Sequence, residues 1–253
     1  MPKISRSIAL VAVALFFVAG VPAAEGAEPF GATACSGVRP GGWIEAPRGT
    51  VYTMGFVLKG TGAKAMTGTY VTTVGHFVYP VFGTKVWTPT SGPVAYDGAG
   101  KTIGRFVYAQ HADTPAYSSF GLVKLDGKVK VVPQVCHFGG PTGIFDTIDS
   151  TPRTVGYYGN GFPVDRVSPA RTALVTGTSR EDDAIAVGVM SLGDSGDAGA
   201  PFVADGKALG YWDGGIGGGS SGAGFVVQRI GPWMEKVQKA LKIKLTLLTA
   251  KPL

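Results

Sequence analysis

Residues 193–213 read Gly-Asp-Ser-Gly-Asp-Ala-Gly-Ala-Pro-Phe-Val-Ala-Asp-Gly-Lys-Ala-Leu-Gly-Tyr-Trp-Asp. A serine flanked by glycines heads a tight turn. Two short apolar runs follow, Ala200–Ala204 and Ala208–Trp212, with only Asp205-Gly206-Lys207 between them. Runs of strand length separated by turn formers at hairpin distance mark antiparallel β structure. The same pattern extends upstream through Thr154–Gly159, Thr172–Thr178 and Ala184–Val189, and downstream to Gly224–Gln228. An earlier set comprises Thr50–Leu58, Thr69–Thr73, Val86–Trp87, Thr102–Tyr108, Phe120–Leu125 and Val129–Val135, which makes about six strands in each half. One helix is predicted from Gly231-Pro232 to about Leu241, with Trp233, Val237 and Leu241 on one i, i+4 face and Lys236 and Lys239 on the other.

Two strand-rich halves closed by a helix fit an all-β fold of two packed, six-stranded antiparallel barrels with a C-terminal α-helix. A doubly wound sheet would need strands alternating with helices, and the sequence has none of that pattern. Gly-Gly-Ile-Gly-Gly-Gly at 214–219 follows a strand without opening a helix, so it fails the structural context of a dinucleotide-binding turn.

Composition narrows the function classes. Of 253 residues, 45% are hydrophobic and 16% charged, which gives the chain ample apolar surface to bury and argues against disorder. The net charge of +6 is scattered, with no run of five or six Lys/Arg, so a nucleic-acid partner is not expected. Residues 1–27 carry Lys3 and Arg6, an apolar run Ile8–Val21, and small residues at Ala23, Ala24, Gly26 and Ala27, the pattern of a secretory signal peptide. That run is 14 residues long, short of the about 20 that a membrane span needs. The expectation is a secreted, extracellular monomer with no stable membrane association. Residues 28–153 would form an N-terminal extension and the first barrel, and residues 154–253 the second barrel and helix. Cys35 and Cys136 are an even pair in an exported chain, so a disulfide is expected over two buried thiols, and Cys35 argues that residues 28–49 are retained. Two Cys with His76, His111 and His137 show no paired ligand spacing, so neither a metal nor another cofactor is expected.

The chemistry sits at strand ends. Gly193-Asp194-Ser195-Gly196 places a hydroxyl on a tight turn whose backbone N–H groups can converge on one oxyanion. Tyr70–Gly75 is an apolar strand ending in His76, a base of the kind such a serine needs.

Taken together these blocks resemble the secreted chymotrypsin-fold (trypsin-like) serine peptidases, in look the bacterial streptogrisin and α-lytic type. Thr72–Phe77 resembles that family's L-T-A-G-H-C block and Gly193–Gly196 its G-D-S-G. Ala208-Leu209-Gly210 with Gly214-Gly215 resembles the strand and glycine wall beside the substrate, and Gly224–Val227 with the helix resembles the closing elements. The resemblance spans about residues 50–243. It implies a polypeptide substrate or protein ligand and an oxyanion hole from the N–H groups of Gly193 and Ser195. Val189, six residues before Ser195, would then face the substrate side chain, with an apolar or small preference. Tyr52 and Phe77 stand where the family usually carries a cystine beside its histidine.

Two departures bear on activity. The family orients its histidine with an aspartate that opens a strand; here that strand is Ser119-Phe120-Gly121-Leu122-Val123-Lys124, with serine in the acid's place. On the neighbouring strand the family carries a serine where Ala208–Asp213 places Asp213, so Ser119 and Asp213 look exchanged, and Asp113 is a more distant substitute. The second departure is the nucleophile's register. Gly196–Pro201 fits the G-D-S-G-[GA]-P block without a gap and puts Ala198 at the serine, whereas the intact tetrapeptide points to Ser195. The first register implies an inactive homologue acting as an extracellular binding module; the second implies a peptidase using Ser195, His76 and Asp213.

Overall fold

The computed structural model describes residues 31, 35–47, 49–112, 118–146, 151–161, 168–178, 185–189, 195–216 and 224–253. The expected signal peptide, Asp113 and Gly193 lie outside them. The first half holds β1 (Trp43–Ala46), β2 (Thr50–Thr53), β3 (Val57–Thr61), β4 (Gly68–Thr73), β5 (Gly83–Val86), β6 (Val94–Asp97), β7 (Thr102–His111) and β8 (Ser119–Leu125). The second holds β9 (Arg153–Tyr158), β10 (Ala170–Thr178), β11 (Ile185–Val189), β12 (Pro201–Ala204), β13 (Lys207–Ile216) and β14 (Gly224–Arg229), followed by α1 (Ile230–Leu241) and β15 (Lys244–Leu247).

β9 to β14 close a six-stranded antiparallel barrel in the order β10-β11-β14-β13-β12-β9, as the sequence predicts. The first sheet departs from the expected count. It has nine strands, in the order β15-β3-β4-β8-β7-β6-β1-β2 with β5 paired to β7. Three of the additions, β1, β6 and β15, are only four residues each, too short to stand out in the sequence. The expected run Thr50–Leu58 is broken at Met54–Phe56, where Gly55 N–H turns to the Thr72 carbonyl (2.7 Å). Val129–Val135 is not a strand; it makes isolated bridges at Val131 and Val135. Pro133 supplies no N–H for a ladder, and Val129 N–H is used by the turn at Asp126 (2.9 Å).

β8 lies between β4 and β7 and is apolar along nearly its whole length, because it packs on both faces. One continuous core runs between the two sheets: Phe120 of β8 stacks on Trp233 of α1 (centroids 5.2 Å apart, 11° between planes) and meets Tyr211 of β13 edge-on at 5.7 Å. The helix is held by Ile230, Trp233, Met234 and Val237, all buried, in agreement with its predicted apolar face. Pro232 falls in its first turn, where the missing N–H leaves no bond unmade. β15 then crosses back to pair with β3, so the end of the chain is anchored on the first sheet.

Cys35 and Cys136 form a disulfide with Cα atoms 6.0 Å apart, tying the segment before β1 to the connector between the sheets. The enclosed loop spans 101 positions. A loop of that size restricts the unfolded chain by up to about 4.7 kcal/mol in the chain-entropy account. Replacing both cysteines by serine should therefore lower the urea midpoint at an unchanged core, because the Phe120–Trp233 contact does not depend on the link. An unaltered midpoint would show that the connector is held by its other contacts alone.

Candidate active site

β4 ends at Thr73, two residues short of the expected Gly75, and the way the chain then reaches His76 is set by Gly75. A Cβ at that position would overlap the carbonyl oxygens of Phe120 and Gln110, so only glycine passes between β8 and β7. The N–H groups of Gly75 and His76 both donate to Ser119 Oγ, each at 2.8 Å. The same oxygen lies 3.0 Å from His76 Nδ1. Ser119, at the start of β8, donates its own backbone N–H to Asp213 Oδ2 at 2.9 Å. Gln228 of β14 donates to that same Oδ2 at 3.1 Å and accepts from Trp233 Nε1 at 2.9 Å. Tyr211 completes the link by donating its hydroxyl to the Ser119 carbonyl at 2.8 Å. The remaining carboxylate oxygen, Asp213 Oδ1, is buried without a hydrogen-bond partner and sits 4.0 Å from His76 Nδ1. Three of the residues singled out in the sequence, His76, Ser119 and Asp213, thus meet at one place although 43 and 94 positions separate the bonded pairs.

Burial dominates the electrostatics. It lowers the His76 imidazole to about 4, with nearby His111 adding to the effect. It pushes the Asp213 carboxyl well above the ordinary carboxylate range, against the opposing pull of the Ser119 N–H and Gln228. Tyr211 is raised by burial and then by the neighbouring Asp213 and Tyr108. The imidazole is framed by rings: Tyr52 edge-on at 5.4 Å and His111 tilted at 5.7 Å, with Phe82 against His111 at 4.6 Å. Tyr52 and Phe77 form an edge-to-face pair at 4.8 Å, an apolar contact at the place where the resembling family carries a cystine.

The turn expected to carry the nucleophile runs from Ser195 to Asp197 as a single 3₁₀ turn. Its Asp197 is fully buried, taking Arg171 at 2.5 Å and the Gly161 N–H at 2.8 Å. Thr53 of β2 clasps the turn twice, with its hydroxyl on the Gly196 carbonyl (2.8 Å) and its N–H on the Ala198 carbonyl (3.0 Å). Gly199 then donates to the Trp212 carbonyl and Trp212 to that of Ala200, both at 2.8 Å. Gly199 holds φ near +93°, and a Cβ there would overlap the Thr53 carbonyl. Ala198 is therefore strung between Thr53, next to Tyr52, and the strand that carries Asp213, whereas Ser195 opens the turn. Gly214 and Gly215 continue β13 past Asp213, opposite Val226 and Phe225, and Val189 ends β11 opposite Gly224. Among the described residues no group of three His, Cys, Asp or Glu could hold a metal.

Sequence reading missed Gln228, His111 and the Arg171–Asp197 pair. Gln228 had a visible signal, a polar residue closing the apolar run Phe225-Val226-Val227. His111 ends β7 and approaches His76 only because β7 and β8 pair with His111 opposite Ser119.

No family model matches the sequence, and no curated protein matches it. Solved structures do. Cellulomonas bogoriensis chymotrypsin superposes with a TM-score of 0.53 at 16% identity, covering 83% of this chain and 99% of that one. Thermobifida fusca protease A gives 0.52 at 15% identity, with 83% and 99% covered. An α-lytic protease homologue, N4, gives 0.50 at 19%, with 81% and 97% covered. This chain has the chymotrypsin fold. At such identities the likeness carries the fold, and the chemistry rests on the side chains just described.

The depressed His76 has a consequence for stability. Its folded value near 4 lies below the ordinary 6.5, so the unfolded chain binds more protons between those limits, and stability falls as pH drops through that window. The loss should amount to up to about 3 kcal/mol. Denaturant unfolding of the wild type and of His76→Phe at pH 7 and pH 4.5 checks this; an equal loss in both proteins would place the effect elsewhere.

Proposed function

We propose that the chain is a secreted serine-type peptidase in which Asp213, supplied from β13, does the work that the family's aspartate does from the β8 position. The observation that carries this reading is the placement of the Asp213 carboxylate, bonded to the Ser119 N–H and 4.0 Å from His76 Nδ1. In the reaction, Ser195 Oγ attacks the peptide carbonyl while His76 Nε2 takes its proton. The oxyanion is met by the N–H groups of Gly193 and Ser195, and the proton passes to the leaving amine. Water then hydrolyses the acyl-enzyme. Asp213 stabilises the imidazolium formed in between and holds Nδ1–H, and no cofactor takes part. The Cys35–Cys136 link suits an oxidising, extracellular setting.

A second reading, a binding module without turnover, is favoured by the position of Ala198, whose carbonyl accepts the Thr53 N–H while the next two residues bond Trp212, the neighbour of Asp213. A fluorophosphonate probe with mapping of the adduct separates the two. An adduct on Ser195 that disappears in His76→Ala is expected. A folded protein that takes no adduct, yet gains one on Ala198→Ser, would establish the binding-module reading. Asp213→Asn should lower kcat by about 10⁴ if the carboxylate acts as argued, on the scale known for such triads; an unchanged kcat would remove Asp213 from the mechanism.

A further inference from the structure

The Ser119 hydroxyl decides which nitrogen of His76 carries the hydrogen. A serine oxygen has two acceptor sites and one donor hydrogen. Both acceptor sites are occupied, by the N–H groups of Gly75 and His76 at 2.8 Å each. The hydroxyl hydrogen must then go to an acceptor, and the one in reach among the described residues is His76 Nδ1 at 3.0 Å. Asp213 Oδ1 receives no hydrogen bond from Ser119 Oγ in this arrangement. An imidazole that accepts at Nδ1 carries its hydrogen on Nε2, and with the ring lowered to about 4 it is neutral at pH 7.

We propose that Ser119 is a positioning residue that parks His76 in the Nε2–H tautomer, so that the unliganded site rests with its base nitrogen already protonated. Resting on the peptidase reading above, turnover then requires one rearrangement. Nδ1 leaves Ser119 Oγ and closes the 4.0 Å gap to Asp213 Oδ1, and the ring hydrogen moves from Nε2 to Nδ1 through solvent. No proton is gained or lost by the ring; the lone pair moves to Nε2, where the serine needs it. Ser119 and Asp213 thus hold the two positions of a tautomeric switch.

The test reads the tautomer directly. In protein labelled with ¹⁵N-histidine, the ring nitrogens of His76 at pH 7 should report a bare Nδ1 and a protonated Nε2, and a protonated Nδ1 in the wild type would overturn the proposal. The reciprocal exchange Ser119→Asp with Asp213→Ser returns a carboxylate to the oxygen that now faces Nδ1. It should convert His76 to the Nδ1–H form and raise kcat by roughly 10², the low end of what a competent general base contributes, with KM little changed. Ser119→Ala, which removes the donor without adding charge, should shift the ring the same way and guards against a folding failure of the double variant. If the ring responds as expected while kcat stays constant, tautomer selection does not limit turnover and that part of the proposal fails. If the ring responds and no variant turns over, the peptidase reading fails and the tautomeric role of Ser119 stands.

Discussion

The buried carboxylate of Asp213 is the constraint around which the molecule is arranged. A carboxyl group taken out of water needs hydrogen-bond donors, and in this chain the donors come from different parts of the fold. Oδ2 receives one from the backbone of β8 and one from Gln228 of β14, and Gln228 is itself oriented by Trp233 of the helix. Satisfying one acid therefore fixes the nine-stranded sheet against the closed barrel and fixes the helix against both. The Tyr211 hydroxyl on the Ser119 carbonyl is a second stitch at the same point, so Ser119 is gripped through both its peptide groups. Phe120, the next residue, stacks on Trp233, which ties the apolar core to the polar link.

His76 depends on that link but is not ionically paired with it. The 4.0 Å approach of Nδ1 to Oδ1 would count as a salt bridge if the ring were charged. Burial acts on the two partners in opposite directions, lowering the base and raising the acid, and for both it is the largest influence. A ring with a value near 4 is neutral at pH 7, so the contact is one between a neutral imidazole and a carboxyl group whose own ionisation is opposed. Desolvation is the larger influence although part of the imidazole still meets solvent, because rings cover the rest of it. Tyr52 and His111 lie against the ring, with Phe77 on Tyr52 and Phe82 on His111 one layer out.

What was legible in the sequence follows from how local each signal is. The closed barrel was readable because β9 to β14 are strand-length runs cut by turn formers, and the helix because its apolar face repeats at the helical period. The first sheet was undercounted because β1, β6 and β15 are strands only by virtue of their neighbours; Lys244–Leu247 in isolation says nothing of pairing with Val57–Thr61. The meeting of His76, Ser119 and Asp213 was reachable through the resemblance, which set Asp213 on a strand neighbouring that of Ser119; the two strands in fact belong to different sheets and meet across the core. The two carboxylate oxygens were not. That one is doubly bonded and the other bare is a fact of side-chain geometry, as is the third role of Ser119 Oγ, and both decide the protonation of the ring.

The turn that opens at Ser195 is fastened from Gly196 onward. Asp197 and Arg171 form a fully buried pair, a costly arrangement in the interior unless the remaining acceptors are used, and the Gly161 N–H uses one of them. Thr53 holds the carbonyls on either side of Asp197, those of Gly196 and Ala198, and Trp212 bonds Gly199 and Ala200. Gly196 to Ala200 are thereby tied to both β2 and β13. A base must come within hydrogen-bond reach of its nucleophile, about 2.6–3.2 Å or one water away. On the proposed peptidase reading, the partner with a choice of anchors is the imidazole, whose Nδ1 lies 3.0 Å from Ser119 Oγ and 4.0 Å from Asp213 Oδ1. Under that proposal competence turns on where the ring is held, and a serine on β8 beside an aspartate on β13 gives it two places to be.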